Sequence, residues 1–238
     1  RFSEDALRIL RGLRFAATLE LTVDAATGEA LHRCRELLRE IAAERITAEL
    51  IRLLPGSGAG AMLREYGDVF AVFCPELHTR RWQWVQNAPG DYILRLAILL
   101  DDPAPLPRLR FSRRETRQIA ELIARKDHPC TARSADLKRI LGEMGAEQAE
   151  RLLELRTARG DPDAPAAKAL LTQLIASGAC VRLNDLAVKG TDITLLGLAG
   201  GQSVGTVLNR LLDEVLEDIL PNEREILLCR AAEILNEV

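Results

Sequence analysis

Aromatic residues are scarce in this sequence, at 4 % of 238 positions, and runs of alternating β-branched residues are nearly absent. The second shortage argues against a sandwich or barrel, which needs many short strands. No stretch approaches the roughly eighteen uncharged apolar residues of a membrane helix, and no signal-peptide pattern is read at the start. Both readings point away from membranes. The five cysteines, Cys34, Cys74, Cys130, Cys180 and Cys229, lie far apart, and with only three histidines the close ligand spacing of a zinc site is missing. A reducing, cytoplasmic setting is expected. What is present favours helices. Hydrophobic residues make up 47 % of the chain, enough for one or two cores, and Leu, Ala and Arg dominate. The expected fold class is all-α, built from helix pairs and short loops.

The net charge of −3 conceals an asymmetry. Residues 64–139 carry 14 basic and 10 acidic side chains, whereas residues 185–238 carry 4 and 10. The middle is suited to face a polyanion and the end to repel one. Two ordinary solvated surfaces account for the same numbers.

Helical spacing predicts a first helix over residues 3–19, with Ser3 as its cap and Glu4 and Asp5 near its positive end. Further helices are expected over 27–40, 43–54 and 59–66, with "PGSGAG" breaking the pattern between the last two. "HTRRWQWVQNAPGD" reads as a surface connection, after which Asp91 caps a helix through Leu100. "DDPAPLPR" is a stop, because its prolines remove donors and fix the backbone, and a subdomain boundary is expected around 101–110. Ser112 and Glu115 form a capping-box pattern for a helix to about Lys126. A short helix from Ser134 and helices over 146–158 and 165–177 follow. The last section holds a glycine-rich turn, a helix over 203–217 and a final helix opened by a second capping box, Asn222 and Glu225.

Within the first helix, Glu4, Arg8, Arg11 and Phe15 recur at spacings of four and three and share one side, while Leu7, Leu10 and Leu13 share another. Glu4 or Asp5 pairing with Arg8 is worth roughly 0.2–0.5 kcal/mol on an exposed helix, and ordinary salt bridges explain the spacing. In a dry cleft the same groups do more. A carboxylate accepts from a nucleobase amino group, and a guanidinium donates to ring nitrogens and carbonyl oxygens.

The segment "EDALR", Glu4 to Arg8, followed by "RGLRFA", Arg11 to Ala16, resembles the nucleobase-reading segment of the bacterial tRNA nucleotidyltransferase and poly(A) polymerase family, E-D-x-x-R then R-x-x-R-F-A. Gly12 stands where Ala is more usual. "AAERITAELIRLL" (Ala42 to Leu54), "KGTDITLLG" (Lys189 to Gly197) and "GTVLNRLLDEVLEDILPNERE" (Gly205 to Glu225) resemble later family segments in the same order, so the resemblance covers nearly the whole chain. It implies a multi-helical neck (1–60), body (61–130) and tRNA-binding tail (131–238). By the same resemblance Asp5 and Arg8 pair with the base of incoming CTP or ATP, Glu4 orients Arg8, and Arg11 and Arg14 support the cleft or approach phosphate.

The resemblance also implies what to look for elsewhere. The family's chemistry belongs to an α/β head with a D-x-D pair that holds Mg²⁺, which activates the tRNA 3′-hydroxyl and stabilises departing pyrophosphate. No such head is read in this sequence, so no catalytic residue is assigned and the chain alone is expected to be inactive. Asp161 and Asp163 spell D-x-D, but in the loop "RGDPDAP". Many relatives carry an HD phosphohydrolase site in the body. Here "LRLAILLDDPAP" resembles the corresponding helix with Asp101 in the His position and Asp102 as the surviving acid, so a degenerate HD-like region without a metal is expected, with His78 and His128 as remnants.

Arg110, Arg113, Arg114 and Arg117 are expected to share a helical side and to contact phosphates of the tRNA acceptor stem, since an A-form helix hides its base edges. A solvated helix is the plain alternative. Arg80, Arg81, Trp82 and Trp84 form another candidate patch. In the acidic tail, contacts are expected from Lys189, Arg210, Arg224 or the backbone near Gly200 and Gly201, with Asn222 a cap rather than a base reader. Three functions stay open on these residues: the C-terminal part of an enzyme adding C and A to the tRNA 3′ end, a poly(A) polymerase portion, or a non-catalytic helical RNA-binding module. Oligomeric state is not read.

Overall fold

The computed structural model describes residues 2, 4–129, 131–196 and 202–236, and every regular element among them is helical. In chain order these are α1 (Leu7–Leu19), α2 (Ala25–Cys34), α3 (Ala43–Leu53), α4 (Ala59–Glu65), α5 (Gly67–Phe73), α6 (Trp82–Asn87), α7 (Tyr92–Leu99), α8 (Pro105–Arg108), α9 (Arg113–Arg125), α10 (Ser134–Met144), α11 (Ala146–Arg159), α12 (Ala164–Ala176), α13 (Gly190–Leu195), α14 (Gln202–Leu216) and α15 (Arg224–Asn236). Short 3₁₀ turns at Arg35–Glu40, Thr79–Arg81 and Leu183–Asp185 join them. The all-α expectation holds.

Two compact units divide the chain: residues 1–129 with 151–162, and residues 130–150 with 163–238. In the first, α1 lies on α3 and α4, α4 on α6, and α7 on α9. Ile9, Leu13, Leu38, Leu54, Phe70 and Leu99 are fully enclosed, each contributing about 2 kcal/mol of transfer free energy. In the second, α10 lies on α12, and α14 on α13 and α15. Val188, Ile193, Leu211, Leu227 and Ala231 form its buried centre around α13–α15, so the tail helices do turn their apolar side inward.

Several local expectations are corrected. The first helix begins at Leu7, not residue 3, because the Asp5 carboxylate accepts the Leu7 N–H at 3.2 Å and opens the helix there; Ser3 lies outside the described residues. The helix expected over 27–40 starts earlier, capped by Asp24 on the Thr27 N–H, and tightens to a 3₁₀ turn after Cys34. "HTRRWQWVQNAPGD" does lie largely at the surface, but it is not a plain connection: it forms α6, with Val85 fully buried. The proline-rich stretch is no boundary. It lies inside the first unit and carries α8, where Leu106 and Leu109 are buried. Asp91 and the Ser112–Glu115 box cap α7 and α9 as expected. Asn222 does not cap α15. Its amide oxygen accepts the Ala187 N–H at 2.9 Å and its amide nitrogen donates to the Asp185 carbonyl at 2.8 Å.

Candidate nucleotide and RNA interface

α1 buries Leu7, Ile9, Leu10, Leu13, Ala16 and Ala17 and turns Arg8, Arg11 and Phe15 outward. At its start, Arg8 Nη1 donates to Glu4 Oε2 at 3.3 Å, with both side chains exposed. Asp5, half-buried, holds the Leu7 N–H and lies 3.6 Å from Arg45 of α3. Glu4, Asp5 and Arg8 therefore gather at one end of a helix whose opposite face is packed. A carboxylate acceptor and a guanidinium donor side by side match the mixed edge of a nucleobase. Arg11 is exposed one turn further on. Arg14 is placed differently: its Nε donates to the buried Glu49 of α3 at 2.7 Å, and its guanidinium stacks on Phe15 at 4.1 Å. It braces α1.

The other end of α1 rests on the "PGSGAG" turn. Glu20 ends the helix in the left-handed region, φ 52°, and its carboxylate accepts from Ser57 Oγ at 2.5 Å. Gly58 N–H donates to the Ala17 carbonyl at 2.9 Å. Behind the turn stands Arg95 of α7, 4 % exposed, with Nη1 donating to the carbonyls of Leu54 at 2.5 Å and Gly56 at 2.7 Å. Its Nη2 reaches the Ala88 carbonyl at 2.7 Å and its Nε that of Pro89 at 2.9 Å. Burial pulls the Arg95 pKa down, and nearby Asp91 opposes the shift. Sequence reading passed over Arg95. Its signal was there: one arginine inside the apolar run "YILRLAILL".

Asp101, the residue read in the His position, is held by cations. It takes both Nη atoms of Arg81 at 2.8 and 2.9 Å, Lys126 Nζ at 2.6 Å and His78 Nε2 at 2.9 Å. The hydrogen bonds from Arg81, then Lys126, hold its carboxyl well below the usual carboxylate range. Asp102 is exposed and accepts the Ala104 N–H at 2.6 Å, while the His128 carbonyl accepts from Arg156. Asp161 pairs with Arg156 at 3.3 Å. Among the described residues no group of three or more His, Cys, Asp or Glu is placed to hold a metal, so the donor set for a catalytic divalent ion does not fit here.

The basic candidates fall into both units. Arg113, Arg114 and Arg117 are exposed along α9, with Arg117 3.9 Å from Glu121. Arg110 does not share their helical side. It precedes the Ser112 cap at φ 61° and lies 3.4 Å from Glu44. Arg113 and Arg117 line an open groove of about 550 Å³ together with Pro103, Pro107 and Phe111. The Trp patch is internally stacked: Arg64 lies 5.1 Å over Trp82, and Arg81 and Arg159 lie 5.7 and 5.2 Å from Trp84. In the second unit, Lys189 Nζ donates to the Asn184 carbonyl at 2.7 Å, Arg224 grips Asp192 at 2.7 and 3.0 Å, and Arg210 lies 3.6 Å from Glu214. Gly200 and Gly201 lie outside the described residues.

A family model described as "tRNA nucleotidyltransferase domain 2" matches residues 100–231, more than half of the chain. The chain belongs to the tRNA nucleotidyltransferase family. A second model, "Probable RNA and SrmB- binding site of polymerase A", matches residues 20–80. Among curated relatives, the "CCA-adding enzyme" of Lacticaseibacillus paracasei is 28 % identical over 249 residues, covering 98 % of this chain and 60 % of its own length. That of Geobacillus sp. is 29 % identical over 240 residues, covering 94 % and 59 %. This tRNA nucleotidyltransferase chain thus spans about three fifths of the length of such relatives. The same fold appears in the Bacillus stearothermophilus CCA-adding enzyme in complex with CTP, with TM-score 0.73, 22 % identity, and coverage of 100 % of this chain and 63 % of that one. It appears also in the Thermotoga maritima CCA-adding enzyme complexed with tRNA_CCA, with TM-score 0.62, 16 % identity, and coverage of 98 % and 62 %. Among the described residues no helix is long and apolar enough to cross a membrane.

Proposed function

We propose that this chain selects nucleobases and binds tRNA within an enzyme that adds C and A to the tRNA 3′ end from CTP and ATP. Asp5 and Arg8 read the base, Glu4 orients Arg8 from 3.3 Å, Arg11 faces the triphosphate side, and Arg14 holds the cleft through Glu49. Residues 1–60 act as neck, 61–130 as body with a degenerate HD-like region, and 131–238 as tail. Arg110, Arg113, Arg114 and Arg117, with Lys189 and Arg210, meet tRNA phosphates. Nucleotidyl transfer, with its Mg²⁺, belongs to a head in the part of the protein that relatives have and this chain does not span. The setting is the cytoplasm.

One observation carries the reading: an acid–arginine pair stands at the outward end of a packed helix, inside a chain of this family. The test is CTP and ATP incorporation, with Mg²⁺, into tRNA lacking its 3′ CCA. The full gene product is expected to extend the tRNA and this chain alone is not. Asp5→Ala and Arg8→Ala in the full protein should blur the choice of nucleotide. Metal-dependent addition by the chain alone, or unchanged selectivity in both variants, overturns the reading. The match to a polymerase A binding site over residues 20–80 favours a second reading, a poly(A) polymerase portion. Use of ATP without CTP on the same tRNA would select it.

A further inference from the structure

The geometry points to Arg95 as a positioning residue for the base-reading helix, acting through the glycine turn at residues 54–58; this rests on the proposed reading by Asp5 and Arg8. The turn is gripped from two sides. On one side Arg95 spends Nη1 on the Leu54 and Gly56 carbonyls, and its Nε and Nη2 tie the same point to Pro89 and Ala88. Gln86 adds a hydrogen bond to the Ser57 carbonyl at 2.9 Å. No carboxylate accepts from Arg95 among these bonds: a buried guanidinium is used wholly on backbone, which fixes the path of a segment that its glycines leave free to move.

On the other side the turn touches α1 at close range. A Cβ on Gly56 would stand 2.6 Å from the Ala17 carbonyl oxygen, and one on Gly58 3.1 Å from it. Gly58 N–H and Ser57 Oγ bond to Ala17 and Glu20, the latter held at positive φ. The C-terminal end of α1 is thus seated where Arg95 places the turn. At about 1.5 Å rise per residue, Leu7 lies about 15 Å along the helix from Ala17, with Asp5 just before it in the chain. A rigid helix pivoting at one end displaces the other, and a misplacement of about 1 Å in a positioned group costs up to about 100-fold in rate.

The experiment uses the full protein, tRNA lacking CCA, and each of CTP, ATP, GTP and UTP supplied singly. Arg95→Met and Gly56→Ala disturb the same turn from opposite sides. Each is expected to lower kcat/KM for the correct nucleotides by about 10- to 100-fold, to do so more than for the wrong ones, and to leave tRNA affinity unchanged. The double variant should lose less than the product of the two, since both act on α1 through the placement of one turn. A purely structural loss lowers all four nucleotides alike, by the fraction unfolded in a thermal melt. Should Arg95→Met fail to fold, Gly56→Ala and the milder Gly58→Ala carry the same test. Folded variants with wild-type selectivity, or losses that multiply independently, overturn the proposal. Asp5→Ala and Arg8→Ala in the same assay separate the two ideas: if both leave selectivity intact, the base-reading assignment falls; if they alter selectivity while the turn variants do not, only the role of Arg95 falls.

Discussion

Glu49 is buried on α3 and receives Arg14 of α1 across 35 residues of chain. Removing one partner of such a pair leaves the other charge without compensation, which costs about 3 kcal/mol. Glu49→Ala is therefore expected to lower the urea-unfolding free energy by about that amount, and Glu49→Ala with Arg14→Ala to lower it by less than the two single losses combined. Asp101 gives a pH signature. Its folded-state pKa is depressed by Arg81 and Lys126, so its stabilising contribution is present above the unfolded carboxylate value of about 3.9 and is lost as pH falls through the folded value. The stability gap between wild type and Asp101→Asn should be full at pH 7 and shrink below about pH 4. Because Asp101 is half exposed, solvent screening keeps that gap modest.

At the scale of elements, α9 illustrates what local sequence encodes. Ser112 Oγ accepts the Glu115 N–H at 3.2 Å and the Glu115 carboxylate accepts the Ser112 N–H at 2.8 Å, the reciprocal pair that S-x-x-E spells. Ser112→Ala should cost about 1 kcal/mol in thermal or chemical unfolding. α15 shows the limit of the same reasoning. N-x-x-E before an apolar helix looks equally like a cap, yet Asn222 spans 35 and 37 residues to hold the backbone at Ala187 and Asp185. An asparagine amide has both a donor and an acceptor, and a packed loop that needs both outcompetes a helix end that needs one. α6 was missed for a related reason. Its Trp side chains and the Arg81 before it read as an irregular surface stretch, but Arg81 lies over Trp84 and Val85 is fully buried.

For the whole molecule, charge is unevenly shared between the basic middle and the acidic end. If α9 meets tRNA phosphates, Arg113→Ala with Arg114→Ala should weaken tRNA binding and reduce the slope of log K against log salt by about 1–2. Unchanged affinity and slope would remove both residues from the interface. The sequence by itself determined the helical class, the apolar and charged faces of α1, the cap of α9 and the family segments, because helical periodicity and capping are written within a few residues. Only the tertiary structure decided that Arg14 braces α3, that Arg95 holds the glycine turn, that Asp101 is ringed by cations and that Asn222 pins a distant loop. Long polar side chains reach partners tens of residues away, and which partner they meet depends on where packing of the apolar faces leaves a carboxylate or a carbonyl unpaired.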